Sequence, residues 1–336
     1  MARMVGAFNV SHSPFLYMPP ERWNEVRARR FLRQDVPMED LAECKAKMER
    51  CNSALAIVRK KLAEANPDVI VIFGDDQLET LDWRNFPPFA VYVGAEFEGA
   101  LSAVDPSMGQ EGAAVPAGGR SAPRARLRGH PELAVSLLSG LMNRGFDPAF
   151  FMEAPKPEVG IPHAFMRPAE SLTDLKTPVV PVFINCFFGP QPTAARCYQL
   201  GKATREIIDA YPGDLRVAVL GSGGLWHTPG VKDAYLDEEF DRESLRYLEQ
   251  GDIQRAAAFH DAYRVPANDA SQDVVARGPL STGMPVSGGP QLGTREYCNW
   301  VAAAAAVDGR PWTIVDYVPV YASPCGMGFA YCEGLA

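Results

Sequence analysis

The stretch that most constrains the fold is residues 66–79, NPDVIVIFGDDQLE. Within it, residues 69–73 form an unbroken run of β-branched and aromatic side chains, which is typical of a short strand buried on both faces. The run stops at Gly74, and four polar side chains follow at once: Asp75, Asp76, Gln77 and Glu79. In an open α/β sheet, ligands bind at the carboxyl ends of the strands. The stretch therefore predicts a strand that ends at a candidate site.

The three acids of this stretch are close enough in sequence to repel one another. A bound cation is one arrangement that makes such a group tolerable, because carboxylate oxygens are good ligands for divalent metals. A solvated loop with an Asx turn is the other arrangement, since aspartate side chains readily hydrogen-bond nearby backbone groups. This stretch alone leaves both interpretations open.

Composition restricts the class of protein. The chain has 336 residues, of which 47% are hydrophobic and 22% charged, and its net charge is −8. An acidic balance argues against nucleic acid or an anionic membrane surface as a partner. The longest apolar runs are too short to span a bilayer, and the N-terminal residues lack a signal-peptide layout. The seven cysteines include no CxxC pair, which fits reduced thiols, so we expect a cytoplasmic protein.

Further short apolar runs and amphipathic segments indicate an α/β protein. Strands are predicted at residues 4–10, 69–73, 89–93, 179–185, 215–220 and 312–321. Helices are predicted at residues 40–64, 131–141, 194–210, 241–248 and 295–307, the first as the longer part of a helical pattern over residues 21–64 that breaks at Val36-Pro37. Asp40 is a plausible N-cap for the first of these helices. Because composition does not break along the chain, we expect one domain over residues 1–336. It would have a central, mostly buried sheet flanked by helices, with the active site at the strand C-terminal ends.

Residues 98–128 have a different character, with many small residues, glycine, proline and a basic cluster. They predict a long surface loop inserted into the domain. One interpretation is an inert insertion. The other is a lid in which Arg124, Arg126 or Arg128 meets an anionic substrate, and the sequence does not decide between them.

The five histidines can be considered one by one. His12 lies in a Ser-His-Ser-Pro turn after a strand, and His227 follows the strand at residues 215–220 through a glycine-rich turn. His130 precedes Pro131 at a helix start, where the helix dipole favours a neutral ring. His163 lies in a loop, and His260 lies mid-helix among alanines, as expected of a structural residue. Each could be a hydrogen-bonded structural histidine, and His12 also a metal ligand.

Taken together, these residues suggest a metal site. Histidines and acids occur at several predicted strand ends, and Glu238 and Glu239 supply further carboxylates. The acidic run at residues 237–241 could equally be a helix N-terminal turn, which favours acids. Nitrogen and oxygen donors with spare histidines nearby are typical of a non-heme iron oxygenase site, which needs an open metal face and acid–base groups.

At this point the chain resembles a known family. Seven motifs occur in order: Ser-His-Ser-Pro at His12, GDDQ after the strand, Gly-His-Pro at His130, Pro-His at His163, GSGGLWH at His227, Glu-Phe-Asp at Glu239 and Arg-Glu-x-x-Asn-Trp at residues 295–300. The pattern is similar to the class III extradiol dioxygenases, the LigB-like superfamily that includes the catalytic subunit of protocatechuate 4,5-dioxygenase. The resemblance covers nearly the whole chain except residues 98–128.

The resemblance implies a single α/β domain that binds Fe(II) and opens a catechol-like ring with O2. Its first histidine ligand falls on His12 and its carboxylate ligand on Glu239. Its catalytic base falls on His163, its substrate-contacting histidine on His130, and a supporting catalytic histidine on His227.

One position departs from the family pattern. The second histidine ligand of the family falls on Gln77, whose amide oxygen is a weaker donor for Fe(II) than imidazole. Three outcomes are open: Gln77 binds the metal weakly, Asp75 or Asp76 replaces it, or the metal site is altered or lost.

The predicted partners are a small aromatic substrate and O2, and we expect a homodimer. Trp226 and Phe240 are expected to wall the substrate ring, with Asp76 as a further substrate residue. Two other functions remain open: a zinc-dependent hydrolase at the same cluster, and a metal-free binding protein that lost its iron because of Gln77.

Overall fold

The computed structural model describes residues 1–102, 123–188, 191–228, 233–263 and 292–335. Its described strands, in chain order, are β1 (Arg3–Val10), β2 (Val69–Gly74), β3 (Phe89–Tyr92), β4 (Glu96–Ala100), β5 (Arg124–Arg128), β6 (Ala149–Phe151), β7 (Val179–Ile184), β8 (Arg216–Ser222), β9 (Thr313–Val320) and β10 (Cys325–Cys332). Eight of them form one sheet in the order β6-β3-β7-β2-β8-β1-β10-β9. The predicted α/β fold with a central sheet is therefore confirmed.

The four central strands β7, β2, β8 and β1 run parallel. Strands β10 and β9 add to one side in antiparallel fashion, and β3 pairs antiparallel with β7 on the other. Because parallel strands point the same way, the carboxyl ends of the central four lie at one edge of the sheet. The polar residues that follow them in sequence are thereby brought to that edge.

Helices cover both faces of this sheet. They are α1 (Trp23–Arg27), α2 (Leu41–Ala65), α3 (Pro131–Met142), α4 (His163–Thr173), α5 (Ala194–Ala210), α6 (Glu238–Gln250), α7 (Ile253–Ala262) and α8 (Tyr297–Ala305). The Asp40 N-cap is confirmed and belongs to a capping box: its carboxylate accepts from the Glu43 N–H, and the Glu43 carboxylate accepts from the Asp40 N–H. No helix in these described ranges is both long and apolar enough to cross a membrane.

Strand β2 shows why an unbroken apolar run was needed. Its side chains alternate between two apolar layers, so Val69, Val71 and Phe73 pack on one face. Ile70 and Ile72 pack into the layer on the opposite face, and all five are buried. The prediction of a strand buried on both faces is confirmed, because helices occupy both sides of the sheet.

Strand β10 was not predicted from the sequence. Its glycines weaken a strand pattern, but each makes room for a neighbouring side chain. A Cβ on Gly326 would lie 1.9 Å from Asp241 Oδ2, and one on Gly328 would lie 2.7 Å from the Trp300 ring. Close packing against these two residues explains glycine at positions where a strand usually carries larger side chains.

The prediction that residues 98–128 form a surface loop is partly wrong. Its two ends form an antiparallel pair, in which β4 aligns with β5 from Glu96–Arg128 to Ala100–Arg124. Residues 103–122, the middle of the predicted insertion, lie outside the described residues. The ends pair because residues 96–100 and 124–128 are long enough to form a regular ladder, and glutamates face arginines across it.

Candidate metal centre

Three donor side chains meet where the central strands end. Donor atoms of His12, Asp75 and Glu296 all lie within 4.8 Å of one another, and all three residues are buried. His12 Nε2 is 3.2 Å from Glu296 Oε2 and 4.0 Å from Asp75 Oδ1. They follow strand β1, follow strand β2 and precede helix α8, respectively. The edge of the sheet therefore brings together one imidazole and two carboxylates.

His12 is held in place on two sides. Its Nδ1 lies 2.8 Å from the hydroxyl of Ser222, the last residue of β8, and its backbone carbonyl accepts from the Arg167 guanidinium at 2.8 Å. If Nδ1–H donates to the hydroxyl, the Nε2 lone pair points toward the two carboxylates. Burial lowers the pKa of His12 to about 4 despite the opposing charge of Glu296, so the ring is neutral near pH 7. A neutral imidazole is the form that binds a metal.

Glu296 reaches the cluster through a gap left by glycine. Gly223 has φ +147°, and a Cβ there would lie 2.7 Å from Glu296 Cβ. The next residue, Gly224, donates its backbone N–H to Glu296 Oε2 at 2.8 Å. The glycine-rich turn after β8 therefore leaves space for the Glu296 carboxylate and donates a hydrogen bond to it. The sequence motif alone did not show this role.

Two further side chains surround the other oxygen of Glu296. Gln77 Nε2 donates to Oε1 at 3.2 Å, and His227 Nε2 lies 3.2 Å from the same atom. Burial opposes ionisation of Glu296, but the adjacent His227 and His12 rings outweigh it and hold its pKa well below the usual range. Burial likewise opposes protonation of His227, and the facing carboxylate of Glu296 raises its pKa nonetheless.

His163 stands beside His12 with a carboxylate behind it. The two rings are arranged edge to face, with centroids 4.6 Å apart. His163 Nδ1 lies 2.7 Å from Oε2 of the buried Glu79. Burial opposes ionisation of Glu79, but the hydrogen-bonded His163 ring and the positive charge of Arg167 hold its pKa below the usual range. A histidine backed by an ionised carboxylate is suited to accept a proton at its other ring nitrogen.

The residues present fit a divalent cation. Asp75 is fully buried, and neither of its carboxylate oxygens has a hydrogen-bond partner among the described residues. Burial and the nearby charge of Glu296 raise its pKa well above the usual range. The buried Arg167 offsets only part of the negative charge of Glu79 and Glu296. A buried unpaired carboxylate is costly, and a cation between His12, Asp75 and Glu296 would remove that cost.

Comparison with known proteins identifies the family of this chain. A family model described as the catalytic LigB subunit of aromatic ring-opening dioxygenase matches residues 6–285. The chain belongs to the LigB family. The match takes in His12, Asp75 and His163 and ends before Glu296. The recognised resemblance to class III extradiol dioxygenases is thereby confirmed.

Several LigB-type dioxygenases are similar over part of their length. A gallate dioxygenase of Pseudomonas putida is 36% identical over 125 residues, which are 36% of this chain and 35% of that protein. A 2,3-dihydroxyphenylpropionate/2,3-dihydroxicinnamic acid 1,2-dioxygenase of Klebsiella pneumoniae is 29% identical over 190 residues, 56% of this chain and 52% of that protein. The alignments thus span from about a third to about half of these relatives. A crystal structure of an uncharacterised Escherichia coli K12 protein aligns with a TM-score of 0.46 and 14% identity over 98% of this chain and 100% of that chain.

The carboxylate of the cluster is not the one that the LigB resemblance suggested. Glu239 lies in the first turn of α6 with its side chain exposed, and it is not part of the group formed by His12 and Asp75. Acids at that position complement the positive end of the helix, which was the alternative interpretation of this acidic run. Glu296 takes the place next to His12 instead.

The predicted substrate residues occupy structural positions. Trp226 and Phe240 are almost completely buried and pack on each other with centroids 5.4 Å apart, in an aromatic cluster with Tyr235. Asp76 accepts hydrogen bonds from the backbone N–H groups of Glu79, Thr80 and Leu81. The structure therefore does not show these three side chains facing a substrate. Large apolar rings near a site can pack in the protein core as well as against a substrate, and Trp226 and Phe240 pack in the core. Asp76 forms an Asx-type turn, which was the alternative interpretation of its stretch.

His130 and the arginines of the insertion are engaged locally. His130 Nδ1 accepts from the Leu133 N–H at 3.2 Å and so caps α3, which leaves Nε2 as its free nitrogen. Arg124 donates to backbone carbonyls of residues 157–159, and Arg126 pairs with Glu98. Arg128 donates to the Lys176 carbonyl at 3.0 Å. Each of these three arginines thus has a local partner, and the lid interpretation of the insertion stays a prediction.

Two residues of the site were missed, and each had a signal. Glu79 was expected only as one of the acids of the stretch 66–79, although it lies three residues after Asp76 and so within the turn that an Asx-type aspartate closes. Glu296 was noted only as part of a motif. It immediately precedes the helix segment YCNWVAAAA, in which every residue is buried. A carboxylate that adjoins an entirely buried helix needs a buried partner, and that rule could have identified it.

Proposed function

We propose that the protein is an Fe(II)-dependent extradiol dioxygenase that opens a catechol-like aromatic ring with O2. The observation that carries this proposal is the buried cluster of His12 and Glu296 with Asp75, which stands beside the His163–Glu79 pair in a chain of the LigB family. One imidazole and carboxylates at an open metal position, with a second histidine as base, are what such a reaction needs.

In this proposal, His12 and Glu296 supply two of the metal's donors. Fe(II) held by these residues would supply Lewis-acid chemistry toward the substrate hydroxyls and would pass electrons from the aromatic ring, which is the group oxidised, to O2. The chain's own groups handle protons. His163 takes a proton from a substrate hydroxyl at Nε2, while Glu79 holds Nδ1 and stabilises the resulting imidazolium. His227 and the Gly224 N–H keep Glu296 in one orientation.

The names of the relatives suggest the substrate class. Gallate and 2,3-dihydroxyphenylpropionate both carry adjacent ring hydroxyl groups and a carboxylate, which is attached directly to the ring in gallate and through a two-carbon chain in the propionate. We propose that this chain acts on a ring of the same kind. The homodimer and the cytoplasmic location expected from the sequence remain predictions.

The test is anaerobic loading with Fe(II), followed by O2 uptake and product spectra with catechol, gallate, protocatechuate and 2,3-dihydroxyphenylpropionate. We expect stoichiometric O2 uptake and a ring-opened product with at least one of them. A matched variant, Glu239→Gln, should behave like the wild type because Glu239 is exposed and lies apart from the cluster. Activity with Zn(II) on an ester or amide in place of O2 uptake would favour the hydrolase instead. A chain that takes up no metal would favour a binding protein.

A further inference from the structure

We propose that Asp75 is the third metal ligand in this chain, and that Gln77 acts on Glu296 as a hydrogen-bond donor without touching the metal. The family resemblance places a ligand at Gln77, so this assignment concerns a departure that is specific to the sequence GDDQ. The inference rests on the proposed function only in requiring a divalent metal at the cluster.

The first argument is the environment of Asp75. Its side chain is 0% exposed, and both of its oxygens lack a hydrogen-bond partner among the described residues. Its neighbour Asp76, by contrast, uses its oxygens to accept three backbone N–H groups. A carboxylate buried without partners destabilises a fold unless something absent from the chain binds it. Its position within 4.8 Å of donor atoms on His12 and Glu296 indicates a metal ion.

The second argument is the orientation of Gln77. Its amide nitrogen lies 3.2 Å from Glu296 Oε1. An ionised carboxylate only accepts hydrogen bonds, so the amide must present its NH2 group there and direct its oxygen elsewhere. The amide oxygen is the one atom of glutamine that could bind the metal. Gln77 is therefore placed to orient a ligand, together with His227, which approaches the same oxygen.

The resulting donor set is one imidazole and two carboxylates. Carboxylates suit harder divalent ions such as Mn(II) better than imidazole does, so replacing a histidine ligand by Asp75 makes Mn(II) a good probe of the site. Two carboxylates also cancel the charge of a divalent ion, which suits a cluster whose three donor side chains are all buried.

The experiment measures Mn(II) affinity by the electron paramagnetic resonance signal of the free ion in wild type, Asp75→Asn, Gln77→Ala and Gln77→His. We expect Asp75→Asn to weaken binding by more than about 100-fold, because it removes a ligand. Gln77→Ala should weaken binding by about 10-fold, the lower end of the effect of an outer hydrogen-bond partner. Gln77→His should not tighten binding. Glu239→Gln is the matched control for the loss of one carboxylate charge.

Thermal unfolding of the same variants without metal gives an independent readout. Asp75→Asn keeps the shape of the side chain, and in metal-free wild type the Asp75 carboxyl is buried without a hydrogen-bond partner among the described residues, so the metal-free Tm of the variant should equal or exceed the wild-type value. Addition of Mn(II) should then raise that Tm far less than it raises the wild-type value. Gln77→Ala should lower the metal-free Tm, because Glu296 loses a donor, and should retain the stabilisation by Mn(II).

The outcomes separate this inference from the proposed function. Wild-type affinity in Asp75→Asn, or tighter binding in Gln77→His, would overturn the ligand assignment while leaving the dioxygenase proposal in place. Failure of the wild type to bind Mn(II) or Fe(II) would overturn both. Metal binding that depends on Asp75 without any O2 uptake would support the ligand assignment and overturn the dioxygenase.

Discussion

At the scale of single residues, the pairing of His163 with Glu79 determines how a substrate proton could be handled. Glu79 is 3% exposed and is held ionised chiefly by His163 and Arg167 against the cost of burial. Its Oε2 lies 2.7 Å from His163 Nδ1, and its other oxygen lies 3.4 Å from the backbone nitrogen of His163. The carboxylate therefore fixes both the ring orientation and the nitrogen that is left for the substrate.

Glu79→Gln should keep the hydrogen bond and remove the charge. We expect turnover to fall by about 100-fold, because general acid–base contributions are of at least that size. In a plot of turnover against pH, the acidic limb should move to lower pH, because the protonated His163 ring loses the counter-charge of the Glu79 carboxylate. Steady-state rates between pH 5 and 9 check this, with Mn(II) affinity as the control. An unchanged limb would mean that His163 is not the base.

At the scale of elements, one short turn carries several site residues. It begins after β2, contains Leu78 at φ +67°, and delivers Gln77 on one side and Glu79 on the other. Asp76 accepts three of its N–H groups, and the Lys156 ammonium donates to the carbonyls of Leu78, Glu79 and Leu81 at 3.0–3.1 Å. A non-glycine residue at positive φ persists only where surrounding contacts hold it.

Lys156→Met should loosen this turn without removing any donor of the cluster. We expect the free energy of unfolding to fall by about 3 kcal/mol, since hydrogen bonds from a charged group are worth about 1.5–3 kcal/mol each and solvent replaces part of them. Turnover should fall while Mn(II) affinity stays within a few-fold, because the turn positions Glu79. Urea unfolding and kinetics check this. Lys156→Arg should restore part of the stability and part of the turnover. Wild-type stability and turnover in Lys156→Met would show that Lys156 does not hold this turn.

At the scale of the whole molecule, a buried acid links separate parts of the fold. Asp241 of α6 is 0% exposed and accepts from the Trp226 N–H, after β8, and from the Tyr317 hydroxyl, on β9. Burial raises its pKa from 3.8 to about 8, against these two hydrogen bonds. The folded state thus binds this proton more tightly than the unfolded state does. The stabilisation is complete below about pH 4 and is lost as pH rises through about 8.

Asp241→Asn should flatten that pH dependence. Asparagine still accepts from the Trp226 N–H and can donate to Tyr317, so the fold is retained. We expect wild type to lose a few kcal/mol of stability between pH 5 and pH 9 that the variant does not lose. Urea unfolding of both proteins with a chelator present checks this, because the chelator removes any difference from metal binding. If the free energy of unfolding changed with pH in the same way in wild type and in Asp241→Asn, Asp241 would not titrate in this range.

Local pattern was enough for most elements and for part of the site. The apolar runs identified β2, β7 and β8, because strands buried on both faces need them, and the capping residues located the start of α2. Since parallel strands share an edge, the same runs also indicated where His12 and Asp75 would lie. Strand β10 was not predicted, because its glycines make room for side chains that come from distant parts of the chain.

Only the tertiary structure decided which carboxylate completes the cluster. Glu239 and Glu296 both occur in plausible motifs, and sequence spacing cannot tell which one faces His12. The answer depends on how α8 packs behind the sheet and on the space left by Gly223, contacts between residues more than 70 positions apart. The sequence by itself determined the central parallel strands, the sheet edge at which His12 and Asp75 lie, and the family. The donor set was decided by packing, because a buried charge is placed by whatever partners the whole fold brings to it.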